Sequence, residues 1–405
     1  MSGWPKVQLD EVCETRTGTR DPAKKPNEAF RYVDIASVDN KAKIISGAGE
    51  VFGRSAPSRA RQVIKSNDVL VSMTRPNLNA VAMVPPELNG EICSTGFAVL
   101  RSKDTILPTY LFHFVRSRGF VAATTGAVSG ALYPAITASF LRSLPIPLPP
   151  VDEQRRIVGL LDRAAEIRRR ADAARAKARA IIPALFLDTF GDPATNPKGW
   201  PVVGLGNVIS RITGGKNIEA GNGTSRYRIM KVSAVTSGMF KANQAKPAPD
   251  DHIPAEDHHV RAGDFLFSRA NTSELVGAVA IADDVPAGLL LPDKIWRIEW
   301  TPSRMEPRYA YSLLRSSEIR RIFAVIGSGT SGSMKNISQA KLVRVPIPLP
   351  PLAIQTAFAE QTQRIESLAR QLDAAAAKAE AMAAALSAEV FGQPQARVEI
   401  ASHAA

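Results

Sequence analysis

Pro145-Ile146-Pro147-Leu148-Pro149-Pro150 occurs a second time as Pro346-Ile347-Pro348-Leu349-Pro350-Pro351, and each copy leads into a long charged and apolar segment. The interval is 201 residues, and it holds from Gln154 to Gln355 and from Phe190-Gly191 to Phe391-Gly392. A spacing kept through a whole segment implies two copies of one structural unit. Proline cannot continue a helix inward, so each stretch marks a sharp helix start, with Asp152 as N-cap candidate for the first.

The segment after the first copy has a heptad of apolar residues, which predicts a helix over residues 152–187. Ile157, Ala164, Ala171, Ala178 and Leu185 fill one position, and Leu160, Ile167, Ala174 and Ile181 the position three later. Moved on by 201, the frame gives Phe358, Ile365, Leu372, Ala379 and Leu386, with Gln361, Leu368, Ala375 and Met382, in a second helix over residues 352–390. Only Gln361 breaks the pattern. Each helix would be about 50–58 Å long at ~1.5 Å per residue. Net charges of +4 and −2 favour packing of the two helices as an antiparallel, coiled-coil-like pair; the alternative is burial of each in its own domain. Pairing within one chain or between chains is left open, and Pro183 should kink the first helix near its end.

At 405 residues the chain has length for two or three domains. The net charge of +13 and a pI near 9.9 point to a polyanionic partner, nucleic acid ahead of an anionic membrane. Cys13 and Cys93 are too few for a metal cluster and fit a reducing compartment. No apolar signal core and no run of about eighteen apolar residues is present, so the expectation is a cytoplasmic protein without a membrane partner.

The repeat reaches beyond the helices. Trp4-Pro5 with Leu9 and Val12 returns as Trp200-Pro201 with Leu205 and Val208, and Asn67-Asp68-Val69-Leu70-Val71-Ser72 returns as Gly263-Asp264-Phe265-Leu266-Phe267-Ser268, both 196 residues on. Pro108-x-Tyr110 with Val115-Arg116-Ser117 returns as Pro307-x-Tyr309 with Leu314-Arg315-Ser316 after 199 residues. Strand runs are expected at 69–72, 81–84 and 97–100, and at 265–268, 278–282 and 295–298, with helical spacing at 110–118 and 309–323. The expected class is mixed α/β (α+β): modules at 1–151 and 188–351, helices at 152–187 and 352–390, and a disordered tail at 391–405, related by a pseudo-two-fold repeat.

Two modules that begin Trp-Pro, contain (Gly/Asn)-Asp-x-Leu-x-Ser and end Pro-Ile-Pro-Leu-Pro-Pro-x-x-x-Gln before a long helix resemble the specificity subunit of a Type I restriction-modification enzyme. Asp152-Glu153-Gln154-Arg155-Arg156-Ile157 is especially similar; Leu352-Ala353-Ile354 departs by lacking the acidic start. The resemblance implies that each module is a target-recognition domain reading one half of a split, asymmetric site in double-stranded DNA, with the helices as spacer. It also implies a non-catalytic chain that binds no cofactor. Chemistry then belongs to two methyltransferase subunits, which methylate adenine with S-adenosylmethionine, and to restriction subunits using ATP and Mg. The competing reading is a coiled-coil scaffold without sequence-specific DNA binding.

Base readout needs Arg, Asn, Gln, Ser or Thr at groove edges, and phosphates need cations or small donors. Polar loops beside strands therefore nominate Arg75, Asn77 and Asn79, with Arg269, Asn271 and Thr272 as counterparts. Near the module starts lie Arg16, Thr17, Thr19 and Arg20, against Arg211, Thr213, Lys216 and Asn217, where glycines would let backbone approach a phosphate. A third set is Tyr133 in one copy and Ser333, Lys335 and Asn336 in the other. Gly327-Ser328-Gly329-Thr330-Ser331-Gly332 lacks the strand before and helix after that a dinucleotide fingerprint needs. His252, His258 and His259 among acidic residues lack a ligand spacing for metal, so they read as a surface loop.

Overall fold

The computed structural model describes residues 3–127, 135–223, 225–329 and 334–392. The chain divides into two compact units, Met1–Asp172 with Leu372–Ala405, and Ala173–Gln371. Each unit thus holds one module, the beginning of the long helix that follows it, and the end of the other long helix.

In the first unit the repeated proline stretch is itself a strand. Pro145–Pro147 pairs antiparallel with Lys6–Gln8, closing the end of the module onto its start, and Ile146 between the prolines is buried. A two-stranded ribbon tolerates proline because its outer edge needs no ladder bond. Val69–Ser72 lies between Phe97–Leu100 and Val81–Met83, all antiparallel. Its side chains alternate between two cores, Val69 and Val71 beside Tyr110 and Leu111, and Leu70 beside Val33, Ile64 and Phe97. A second sheet has the order Gly49–Phe52, Ala29–Val33, Ile92–Ser94, Ala60–Val63, with one parallel pair.

The second unit is built alike. Val202–Gly204 pairs with Pro346–Pro348. Phe265–Ser268 lies between Ile295–Trp300 and Val279–Ile281, and Ile209–Gly214 extends that sheet. Phe265 and Phe267 face one core, Leu266 the other. Where the sequence suggests one helix per module after the sheet, there are two, Pro108–Arg116 then Arg118–Gly126, and Pro307–Leu314 then Ser317–Ile326. Serine makes the break: Ser117 Oγ accepts the Phe120 N–H at 3.2 Å, and Ser316 Oγ the Ile319 N–H at 3.5 Å.

The long helices run Val151–Phe190 and Leu352–Phe391. Asp152 is not the cap, because the helix has already begun at Val151; it pairs instead with Arg155 at 2.6 Å. The helix continues through Pro183, and Phe391, expected in the tail, is its counterpart's last helical residue. The glutamine at the start of each helix explains the repeated Pro-Pro-x-x-x-Gln. Gln154 is buried, accepts the Leu107 N–H at 2.8 Å and donates to Thr105 O at 3.0 Å and Pro149 O at 2.9 Å. Gln355 accepts the Glu306 N–H at 3.0 Å and donates to Arg304 O at 3.1 Å and Pro350 O at 2.8 Å. Tyr110 and Tyr309 add hydroxyl bonds to Pro147 O and Pro348 O, at 3.0 and 2.7 Å. Replacing Gln355 with Leu removes the side-chain partner of one N–H and two carbonyls, of which the Pro350 carbonyl is buried. A loss of about 2–3 kcal/mol is expected in the second unit, readable as faster amide exchange over residues 304–309.

The far end of each helix belongs to the other helix's module. Phe391 packs on Tyr110 and Phe114, with ring centroids 5.2 and 5.8 Å apart. Phe186 and Phe190 pack on Tyr309 and Phe358, and the Trp200 indole N–H donates to Phe190 O at 2.9 Å.

Half of the expected seam is one residue out of frame. Ile157, Ala164, Ala171 and Phe358 are buried, and Leu185, Ile365, Leu372 and Leu386 partly so. The second line lies four residues after the first rather than three, at Leu161, Thr362, Ala376 and Val390, all buried. Ile167 is partly buried, while Leu160, Ile181, Leu368 and Met382 are 42, 48, 58 and 65 % exposed. Gln361 is exposed too, so it breaks no pattern. The apolar count favoured the wrong line because Arg168 sits on the true one. Its long side chain reaches Asp172 at 3.1 Å and, on the other helix within the same unit, Glu380 at 3.6 Å. Leu368→Arg is accordingly expected to leave the stability of the isolated chain within about 0.5 kcal/mol in a denaturant titration.

Candidate nucleic-acid interface

In the second module the polar segments nominated from sequence are tied to one stretch, residues 292–296. Gly214 is the sheet partner of Trp296, and Lys216 bridges Pro292. The Arg269 backbone N–H donates to Lys294 O at 3.0 Å, and Ile337 N–H donates to Arg269 O at 2.8 Å. Arg269 Nε donates to Asp293 O at 2.8 Å, and its guanidinium lies 5.5 Å from the centre of the Trp296 ring. Ala270–Asn271 pairs with Lys335–Asn336, placing Asn271 opposite Lys335. Lys216, Asn217, Arg269, Asn271, Thr272, Lys335 and Asn336 are thereby carried on one edge.

The first module joins the equivalent segments through residues 94–97. Thr19 bridges Gln62, whose Nε2 donates to Ser94 O and Phe97 O, both at 2.9 Å. Arg20 N–H donates to Arg61 O at 2.9 Å, Met73 N–H to Gly96 O at 2.9 Å, and Ile136 N–H to Met73 O at 2.8 Å; Thr74 bridges Ala135. The loop that follows is held in an uncommon shape. Arg75 and Asn79 have φ of 48° and 45°, left-handed backbone that costs of order 1–3 kcal/mol per non-glycine residue. Pro76 is buried between them, leaving Arg75 and Asn77 exposed, and Lys43 Nζ donates to Asn79 O at 2.5 Å. Burial, with repulsion from Arg116, holds the Lys43 ammonium below its usual pKa.

The family model described as the Type I restriction modification DNA specificity domain matches residues 1–169. The EcoEI specificity subunit of Escherichia coli is 28% identical over 167 residues, 40% of this chain and 28% of that relative's length. The HsdS subunit from Thermoanaerobacter tengcongensis, a crystal structure, is 29% identical with TM-score 0.53, covering 97% of this chain and 98% of that one. A solved chain from the structural basis of complex assembly and conformational transition of the type I R-M system is 30% identical, with TM-score 0.59 and coverage of 98% and 99%. The chain belongs to the specificity-subunit family of Type I restriction-modification enzymes.

In this member of the specificity-subunit family several nominated residues serve the fold. Thr213 is buried, with its hydroxyl turned away from solvent, so it does not offer a side chain to DNA. Gly215 is required by the protein itself, because a Cβ there would lie 1.8 Å from Leu291 O. Arg211 is exposed but already paired with Asp257 at 2.6 Å. Asn271 Oδ1 accepts the Thr272 N–H at 2.8 Å. Arg16 is exposed and Thr17 half-buried, whereas Tyr133 and Ser333 lie outside the described residues.

Sequence reasoning missed Lys43, Lys294 and Trp296. Lys43 reaches the Asn79 loop only through the fold, Lys294 lies in the short turn that enters the strand Ile295–Trp300, and Trp296 lies within that strand. His259 lends its carbonyl to Arg297 Nη1 at 3.0 Å, and among the described residues no group of three or more His, Cys, Asp or Glu is placed to hold a metal ion. Among the described residues, too, no helix is long and apolar enough to cross a membrane.

Proposed function

We propose that this chain is the DNA-reading subunit of a Type I restriction-modification complex, with residues 1–151 and 188–351 each reading one half of a split, asymmetric site. The observation that carries it is the combination of one scaffold with two different edges. Gln154 and Gln355 make equivalent bonds at the helix starts, while the loops joined at residues 94–97 and 292–296 carry unlike side chains. Equivalent frames with unlike edges suit recognition of two different short sequences by direct readout, supported by phosphate contacts from lysine and arginine.

The candidate contacts are Arg75, Asn77, Asn79, Thr19 and Arg20 in the first module. In the second they are Lys216, Asn217, Arg269, Thr272, Lys335 and Asn336, with Lys294 added. The two long helices, pairing in coiled-coil fashion, would fix the interval between half-sites and offer a surface to two methyltransferase subunits. Adenine methylation with S-adenosylmethionine, and ATP- and Mg-dependent restriction, would belong to partner subunits acting on DNA in the cytoplasm. The test is selection of duplexes from a random pool by the chain assembled with its methyltransferase subunits at physiological salt. Recovered duplexes should share two fixed blocks at a constant interval; a pool enriched without fixed blocks would return the chain to the scaffold reading.

A further inference from the structure

We propose that Arg269 reads a guanine in the half-site of the second module, aimed by Trp296 and by the Asp293 carbonyl; this rests on the DNA-reading role proposed above. The two modules define one backbone position by the same pair of hydrogen bonds. In the first module it holds Met73, whose N–H donates to Gly96 O and whose carbonyl accepts from Ile136 N–H, at 2.9 and 2.8 Å. In the second it holds Arg269, bonded likewise to Lys294 O and Ile337 N–H at 3.0 and 2.8 Å. The frame is shared and the chemistry differs, a thioether against a fork of donors.

The Arg269 side chain is preset. Its Nε is committed to Asp293 O at 2.8 Å and its plane is held over Trp296, which itself stacks on Phe267 with ring centroids 6.0 Å apart and planes at 13°. Among the described residues Nη1 and Nη2 have no hydrogen-bond partner. What remains is a pair of parallel donors on an oriented plane. Guanine presents two acceptors, O6 and N7, to the major groove, whereas adenine presents an acceptor beside a donor. Two donors side by side therefore match guanine and clash with the adenine amino group. Lysine would supply the charge without the fork, and methionine would supply neither.

The test is methylation sequencing of DNA from a host without other adenine methylation, carrying the full chain with its methyltransferase subunits. Methionine already occupies this backbone position in the first module, so Arg269→Met is compatible with the frame. In Arg269→Met one G·C position in one half-site should become degenerate, with roughly ten- to hundredfold loss of preference, and the other half-site should stay unchanged. Arg269→Lys should relax the same position while keeping more overall activity. An unchanged motif, relaxation at an A·T position, or equal weakening at every position overturns the inference and leaves the DNA-reading role standing. If Arg269→Met abolishes methylation, the lysine variant decides by the same criteria. Absence of any split motif with the unaltered chain overturns the DNA-reading role and the inference together.

Discussion

Phe391→Ala is expected to destabilise the first unit by about 3–5 kcal/mol, the cost of emptying a phenylalanine site in a packed core. Phe391 is the last residue of its helix, yet it is 8 % exposed and lies among Tyr110, Phe114 and the residues around them. The hole would open beside Gly119, where a Cβ would sit 2.9 Å from the Gly392 carbonyl, so the two backbones already touch and leave little room to collapse. Amide exchange should rise over residues 108–120 and stay unchanged in the second unit, whose corresponding rings come from Phe186 and Phe190. Unchanged exchange in the first unit would mean that the helix end is a passive cover.

Asp68→Ala is expected to cost about 3–5 kcal/mol, because breaking a buried pair strands the remaining charge. Asp68 is 1 % exposed and accepts from Arg101 Nε and Nη2 at 2.8 and 2.7 Å, and from the Lys65 N–H at 2.7 Å. The hydrogen bonds to Asp68 are also the main reason that the Arg101 pKa is raised. After the change, Arg101 would keep Glu14 at 3.6 Å and a 3.4 Å bond to Val63 O. The equivalent Asp264→Ala should cost less. Arg297 lies 3.3 Å from Asp264 and donates to His259 O at 3.0 Å and Asp257 O at 2.9 Å, so two carbonyls would still meet its charge. Denaturant melts followed by unit-resolved exchange would rank the two; a larger loss for Asp264→Ala would contradict this account of the pairs.

The element most legible in the sequence was the repeated proline stretch, although its job was not. Proline composition announced where each helix starts, but pairing of Pro145–Pro147 with Lys6–Gln8 is a contact across nearly the whole module, invisible to local pattern. The strand runs were readable because Val69–Ser72 and Phe265–Ser268 are buried on both faces and so are apolar throughout. Of the two apolar lines expected along the helices, the one through Ile157 and Phe358 coincides with burial and the one through Leu160 and Leu368 does not. A heptad count rewards apolar residues wherever they fall, and it took Leu160 and Leu368 over the line that carries Arg168 and Thr362. Candidate DNA contacts were legible as segments rather than as side chains. Residue type nominated Thr213 as a contact, and only its burial in the sheet takes its hydroxyl away from solvent.

The most direct test of one half-site per module is to exchange residues 202–348, from the strand Val202–Gly204 to the strand Pro346–Pro348, for the matching stretch of a relative with another specificity. Both long helices, with Phe190 and Gln355, stay in place. DNA from a host carrying this chain and its methyltransferase subunits is then sequenced for methylated adenine. The account predicts that one half of the split motif changes while the other half and the interval are kept. A change in both halves, or in neither, would contradict it.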